Sequence, residues 1–293
     1  LFRSGRIYCP GVGDDTACLV CLLLAGKYIA RHVDSPSWRE IRGEDAPGLL
    51  LVCNAGEEGL GNLKGVRKIC EDYGGRIKSF CTFDSSLSSI VDRAVGSKRF
   101  RVKVRTRGGH SYNDFGNDNA IAGLASLVGK LYKIQVPEGG KTTYNVGMIS
   151  GGTSVNTIAQ EAEMLYEFRS DKRENLEYME RQFMEVLDRA KAEGMDVSFQ
   201  VIGVRPCEGQ VDPAQKQALT DWAHRVVEEM TGQAPKHHAG STDCNIPLSL
   251  GIPSVCVGSF RGAGAHTREE YVETDSLEEG YKVAFGMIFG RRD

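Results

Sequence analysis

Residues 49–58, with the sequence Leu-Leu-Leu-Val-Cys-Asn-Ala-Gly-Glu-Glu, join a short apolar run to a pair of carboxylates. The run at 49–54 is apolar at every position but the last, which predicts a strand covered on both faces of a parallel sheet, with a helix beginning near Asn62. Ligands of open α/β sheets bind at the carboxyl ends of the strands. The pattern therefore predicts that Glu57 and Glu58 lie at the ligand-binding edge of such a sheet.

Two further acidic positions repeat this pattern. A glycine turn at 10–13 leads to Asp14 and Asp15, which are predicted to open an apolar helix running to about Arg31, and a predicted strand at 76–83 ends at Asp84. Strand, acidic loop and helix thus alternate, which indicates an α/β layer sandwich with its carboxylates at the strand ends.

The middle of the chain follows another pattern. A strand with alternating Phe100, Val102 and Val104 opens it. We then expect a helix at 121–131, strands at 143–149 and 161–169, a helix at 174–193 and a strand at 197–204. This β-α-β-β-α-β order is the ferredoxin-like arrangement. The α/β pattern resumes with a helix at 214–230, a strand at 253–258 and a helix from about 275, which predicts one domain from 1–97 and 208–293 and an inserted domain at 98–207.

Composition narrows the class of protein. The chain has 293 residues, of which 41% are hydrophobic, and a net charge of only -3. Because no basic stripe or polybasic tract is present, neither nucleic acid nor a membrane surface is an expected partner. The longest apolar run, 19–25, is too short to span a membrane, and the odd number of cysteines, nine, indicates reduced thiols. We expect a soluble, cytoplasmic protein that acts on a small molecule.

The order and spacing of several motifs resemble the zinc aminoacylase, carboxypeptidase G and peptidase T superfamily, which includes acetylornithine deacetylase. The motifs are Gly-Val-Gly-Asp-Asp at 11–15, the glutamate pair at 57–58, Asp84, Gly-Gly-His-Ser at 108–111, Gly-Gly-Thr-Ser-Val-Asn-Thr-Ile at 151–158, and Gly-Ala-Gly-Ala-His-Thr at 262–267 followed by Glu270 and Tyr271. The resemblance implies a zinc-exopeptidase-like α/β/α sandwich with an inserted ferredoxin-like lid and dimerisation domain.

The resemblance also implies a co-catalytic metal site. Asp14 would bridge two zinc ions, Glu58 and His266 would each bind one of them, and Asp84 would complete the ligand set. Two zinc ions are expected per chain in the complete protein, with cobalt or manganese as alternatives. Carboxylate and imidazole are ligands that zinc accepts, and a zinc-bound hydroxide would be the nucleophile. Glu57 resembles the general base that takes a proton from the attacking water.

Five more residues match positions that bind the substrate or the transition state. His110 resembles the histidine that reaches the active site of the partner subunit and stabilises the oxyanion, although it could be only a turn histidine. Asn156 resembles the residue that holds the region of the scissile carbonyl. Arg169 resembles a clamp on a substrate carboxylate, and could equally be an exposed ion-pair residue. Gly240 and Ser241 match the substrate-side loop.

One element of the pattern is absent. The superfamily's first metal ligand is a histidine in a His-x-Asp segment ahead of the bridging aspartate, and no histidine precedes Asp14. The His-x-Asp at 32–34 follows Asp14 across a predicted helix about 25 Å long, so we reject it as a ligand. We expect truncation of a longer protein, with natural loss of the ligand as the alternative. His237 and His238 lie in a predicted strand, where only one of them can face the site.

We therefore expect a metal-dependent hydrolase that cleaves an amide bond of a short peptide, as an aminopeptidase or dipeptidase. The alternatives are an N-acyl-amino-acid deacylase of the aminoacylase or acetylornithine deacetylase type, and a non-catalytic scaffold that kept the fold. The substrate would be a small peptide or an N-acyl amino acid. The inserted domain is expected to form a homodimer.

Overall fold

A computed structural model describes residues 1–36 and 48–289, and these divide into two compact units. Unit 1 comprises 1–94 and 208–293, and unit 2 comprises 95–207.

In its described residues, the first part of the chain supplies four short strands and two helices of unit 1. In chain order these elements are β1 (Phe2–Arg3), β2 (Arg6–Tyr8), α1 (Cys18–His32), α2 (Lys64–Tyr73), β3 (Phe80–Phe83) and β4 (Ser89–Ala94).

Unit 2 holds the long strands. Its elements are β5 (Gly96–Arg105), β6 (Gly109–His110), α3 (Ala120–Leu131), β7 (Thr142–Gly151), β8 (Thr157–Ile158), β9 (Glu161–Ser170), α4 (Arg173–Ala192) and β10 (Asp196–Arg205).

The chain then returns to unit 1. The remaining elements are α5 (Pro213–Thr231), β11 (Lys236–Gly240), α6 (Asn245–Ser249), β12 (Ser254–Val257), β13 (Gly262–Ala263), β14 (Tyr271–Glu273) and α7 (Ser276–Phe289).

Helices cover both faces of the main sheet of unit 1, which has the strand order β11-β4-β12-β3. Neighbouring strand residues point to opposite faces. Ile90 packs with residues of α1, α5 and α7, whereas Val91 packs with Leu248 of α6 on the other side. This arrangement confirms the α/β class. A second sheet, β1-β2-β14-β13, is antiparallel.

The sheet of unit 2 has the order β10-β5-β9-β7 and is antiparallel throughout. The predicted alternation decides which face is buried: Phe100, Val102 and Val104 are buried, and they pack against α3 and α4. Phe183 of α4 packs against Phe100 with ring centroids 4.2 Å apart and the ring planes tilted by 31°. The β-α-β-β-α-β order is present as predicted.

Three predictions of secondary structure in unit 1 are wrong in whole or in part. Residues 49–54 form no strand, and Leu49, Leu50 and Leu51 are exposed. None of the described strands pairs with this segment, so its backbone groups are not satisfied by a sheet. The predicted strand at 76–83 is confined to β3. The first helix begins at Cys18, because the backbone of Asp14 and Asp15 has non-helical angles.

Candidate metal centre

Asp14, Glu58 and His266 come together in unit 1, from segments more than 40 residues apart in the chain. Each offers one ligand atom, and these atoms all lie within 4.8 Å of one another. His266 Nε2 lies 2.7 Å from Asp14 Oδ2 and 3.6 Å from Glu58 Oε1. The His266 side chain is 67% exposed, so the cluster is open to solvent.

The backbone around His266 is tightly turned. Gly264 and His266 both have positive φ, at 79° and 66°. Glycine adopts this left-handed region freely, whereas a histidine there is uncommon and is typical of turns and functional sites. The small residues before His266 thus allow the turn that carries the imidazole to Asp14.

Glu270 holds the loop that carries Asp14. Its side chain is buried, at 3% exposure, and accepts hydrogen bonds from the backbone amides of Gly11 at 2.6 Å, Gly13 at 2.8 Å and Asp14 at 2.8 Å. Burial raises the pKa of Glu270, but the three amides outweigh it and leave the pKa below its usual value. Sequence reasoning noted Glu270 only as a companion of His266, since nothing local reveals contacts with residues more than 250 positions away.

Gly13 explains part of the glycine turn. A Cβ atom there would lie 2.6 Å from the Phe260 ring, closer than real contacts allow. The Gly-Val-Gly segment can therefore pass between Phe260 and Glu270 only without a side chain at this position.

The charges around the cluster favour a cation. Burial, followed by the charges of Asp15, Glu57, Asp14 and Glu58, raises the pKa of Asp84 to about 8. Burial is also the largest cause that raises the pKa of Asp15, to about 7, with neighbouring carboxylates contributing. The charge of Glu58, and then the hydrogen bond to Asp14, raise the pKa of His266. Carboxylates crowded together in this way hold protons more readily when no other cation is near, and with the imidazole they form a donor set that fits zinc.

The other predicted residues of unit 1 lie around this cluster in different ways. Asp84 is half-buried at the end of β3 and interacts with the acidic residues through charge, but it is not one of the three whose ligand atoms converge. Glu57 is half-buried, next to exposed Glu58. Gly240 ends β11, and a Cβ there would lie 2.9 Å from Val91. Ser241 follows it directly.

His110 and Asn156 are neighbours in unit 2. Strands β6 and β8 pair His110 with Thr157, and the amide of Ser111 donates to the backbone carbonyl of Asn156 at 3.0 Å. His110 Nδ1 accepts from the amides of Tyr112 at 3.2 Å and Asn113 at 3.4 Å. The proton of a neutral His110 ring therefore lies on Nε2, which leaves an exposed N–H donor.

Arg169, in β9, has a carboxylate partner within unit 2. Its Nε and Nη2 donate to the two oxygens of Glu167 at 2.9 and 3.2 Å. Burial raises the pKa of Glu167, but Arg169 and Arg99 outweigh it, so the pKa is lowered. Two of the five N–H groups of Arg169 are used in this pair, and three remain for another acceptor.

Comparisons with known proteins match this chain over most of its length. A family model described as a peptidase dimerisation domain matches residues 94–195. The chain is 24% identical to an acetylornithine deacetylase of Myxococcus xanthus over 285 residues, covering 94% of this chain and 70% of the relative. It is 23% identical to a succinyl-diaminopimelate desuccinylase of Nitrosospira multiformis over 293 residues, covering 94% and 72%.

Solved structures share the fold over nearly the whole chain. Aminopeptidase PepT of Bacillus cereus matches with a TM-score of 0.72 and 22% identity, covering 99% of this chain and 75% of PepT. A tripeptidase of Staphylococcus aureus matches with a TM-score of 0.73 and 22% identity, covering 97% and 73%.

Together the comparisons define a class: an α/β protein that carries a peptidase dimerisation domain and whose homologues are hydrolytic enzymes. The resemblance to the zinc aminoacylase, carboxypeptidase G and peptidase T superfamily is thereby confirmed.

Among the described residues, every helix is too short or too polar to cross a bilayer.

Proposed function

We propose that this protein is a metal-dependent hydrolase of the amide bond in a short peptide. The observation that carries the proposal is the convergence of Asp14, Glu58 and His266 ligand atoms within 4.8 Å. Their convergence from distant segments supports a metal enzyme over the non-catalytic alternative.

Asp14, Glu58 and His266 would hold the metal, with Asp84 as a further ligand. We infer two zinc ions per chain in the complete protein, with cobalt or manganese as alternatives. A bound zinc would polarise the scissile carbonyl and lower the pKa of water at the site. Asp14 suits the bridging position because Glu270 fixes its backbone while both carboxylate oxygens can serve as ligands.

Glu57 would move the proton. It would take a proton from water as the water oxygen attacks the carbonyl carbon, and would give it to the leaving nitrogen as the C–N bond breaks. His110 is proposed to stabilise the oxyanion, for which its Nε2–H is the available donor.

Substrate contacts are assigned to Asn156, Arg169, Gly240 and Ser241. The N–H groups of Arg169 that do not bind Glu167 would donate to a substrate carboxylate. The likeness to an aminopeptidase and a tripeptidase supports a peptide substrate. The likeness to a deacetylase and a desuccinylase supports an N-acyl amino acid as the second candidate.

Unit 2 is proposed to act as a lid and to form a homodimer. Among the described strands β7 is an edge strand, and its Met148 and Ile149 are exposed. An edge strand with exposed apolar side chains can pair with a copy of itself across a two-fold axis. We place the protein in the cytoplasm, in keeping with nine free cysteines, most of them buried.

The test is the metal content of the protein after dialysis against trace zinc, measured by elemental analysis. We expect bound zinc in the wild type and a loss of at least half of it in Glu58→Ala and in His266→Ala. His32→Ala, which removes an exposed histidine at the end of α1, is the matched control and should keep its zinc.

Substrate class is tested on the zinc-loaded protein with di- and tripeptides beside N-acetyl and N-succinyl amino acids. Faster turnover of the peptides supports the first candidate, and faster turnover of the acylated amino acids supports the second. A folded wild-type protein that binds neither zinc nor cobalt nor manganese would refute the hydrolase assignment.

A further inference from the structure

Four side chains of unit 1 form a second cluster that contains none of the candidate ligands described above. His237 Nδ1 lies 2.8 Å from Asp92 Oδ2, and His237 Nε2 lies 2.8 Å from His224 Nδ1. His224 Nε2 lies 3.8 Å from Glu228 Oε2. The two imidazole rings lie end to end and nearly in one plane, with centroids 5.2 Å apart and an interplanar angle of 13°.

The fold explains why these residues meet. Strands β11 and β4 are parallel neighbours, with His237 opposite Ile90. Asp92 follows Ile90 by two residues along β4, so both side chains point to the same face of the sheet. Helix α5 packs on that face. His224 and Glu228 are four residues apart on α5 and therefore lie on one side of the helix.

The two rings can distribute their protons in two ways beside Asp92, which Arg93 also pairs with, its Nε lying 3.3 Å from Asp92 Oδ1. If both neutral rings turn their N–H groups toward the carboxylates of Asp92 and Glu228, two nitrogen lone pairs face each other across 2.8 Å. If instead His224 donates from Nδ1 to His237, a lone pair of His224 faces the Glu228 carboxylate. The first arrangement directs two nitrogen lone pairs at one place, where a bound metal ion would be favoured, whereas in the second the rings are hydrogen bonded to each other.

We propose that His224 and His237 form a surface site for a divalent transition metal that prefers imidazole, such as Zn²⁺. The metal would take the place between His224 Nδ1 and His237 Nε2. Asp92 would act as the outer carboxylate that holds the N–H of His237 on Nδ1 and orients its other nitrogen, an arrangement common for metal-bound histidines.

Access and geometry suit this occupant. The side chains of His224 and His237 are 34% and 30% exposed, so an ion can enter from solvent and water can complete its coordination. Tetrahedral zinc with bonds of about 2.0 to 2.1 Å needs its nitrogens about 3.3 Å apart. The present 2.8 Å therefore has to open by about half an ångström, which side-chain rotation at the surface can provide.

The experiment is a calorimetric titration of the full chain with ZnCl₂, comparing wild type with His224→Gln and His237→Gln. We expect each variant to lose one binding event while events at other sites remain. Asp92→Asn keeps both nitrogen ligands and should weaken the same event by about 10- to 100-fold. His238→Gln is the matched control, since His238 is the next residue along β11 and points to the opposite face.

Circular dichroism verifies that each variant is folded, and His224→Gln, on a helix surface, serves if His237→Gln does not fold. Unchanged zinc binding in both histidine variants would overturn the proposal and leave a shared proton as the occupant. An equal loss in His238→Gln would also overturn it, because binding would then not depend on this pair. The residues differ from those of the candidate metal centre, so failure here leaves the proposed hydrolase intact.

Discussion

Replacing Glu270 by glutamine tests how the loop of Asp14 is held. The substitution keeps the size and shape of the side chain and removes its charge. One carboxylate oxygen accepts from Gly13 and Asp14, and the other accepts from Gly11. In Glu270→Gln an amide NH₂ replaces one oxygen, so at least one backbone N–H faces another donor instead of an acceptor.

The magnitude follows from these three bonds. A hydrogen bond to a charged group contributes about 1.5 to 3 kcal/mol, and one between neutral groups about 1 kcal/mol. Two bonds would therefore weaken and one would be lost, at a site where Glu270 is 3% exposed and water cannot replace it. We expect the free energy of unfolding to fall by about 2.5 to 7 kcal/mol, a large share of the stability of an ordinary protein.

Urea unfolding measures this loss, and a zinc titration measures its effect on the metal centre. Zinc affinity should fall about 10- to 100-fold, as is common when a group that supports a ligand is removed. Glu269→Gln is the matched control, because Glu269 is the adjacent glutamate and is exposed; its unfolding free energy should stay within about 0.5 kcal/mol of wild type. A Glu270→Gln protein as stable as this control, with unchanged zinc affinity, would refute the positioning role.

Three other substitutions test the catalytic proposal and the core of unit 2. Glu57→Gln should lower kcat by about 100-fold or more with zinc content unchanged. Initial rates and elemental analysis measure these two quantities, and an undiminished kcat would contradict the general-base role. Phe183→Ala should lower the free energy of unfolding by about 3 to 5 kcal/mol, because the ring is fully buried among Phe100, Tyr166 and Phe199. Denaturant unfolding measures this loss, and a loss under about 1 kcal/mol would contradict this packing. Tyr166→Phe should leave the free energy of unfolding unchanged or raise it by about 1 kcal/mol, since the buried hydroxyl has no hydrogen-bond partner in the described part of the chain. A clear loss of stability in the same assay would reveal a partner.

Local pattern was most informative in unit 2. The alternation of Phe100, Val102 and Val104 identified the buried face of β5, because a strand between helices and solvent has one apolar face. The same reasoning gave wrong boundaries near Asp14, where contacts with Glu270 override the tendency of an apolar segment to begin its helix earlier. The strand predicted at 49–54 is absent for a related reason: strand propensity does not specify whether a neighbouring strand is available to pair.

For the candidate site, the sequence by itself determined the residue types and the motifs that contain them, and the resemblance that these motifs carry led to Asp14, Glu58 and His266. Only the tertiary structure decided that these three converge while Asp84 stays outside the group, that Glu270 supports the Asp14 loop, and that His237 meets His224 and Asp92. The physical reason is that hydrogen bonds and charges act over a few ångströms in space. Backbone periodicity specifies the face of an element on which a side chain lies, and the packing of distant elements specifies what that side chain meets.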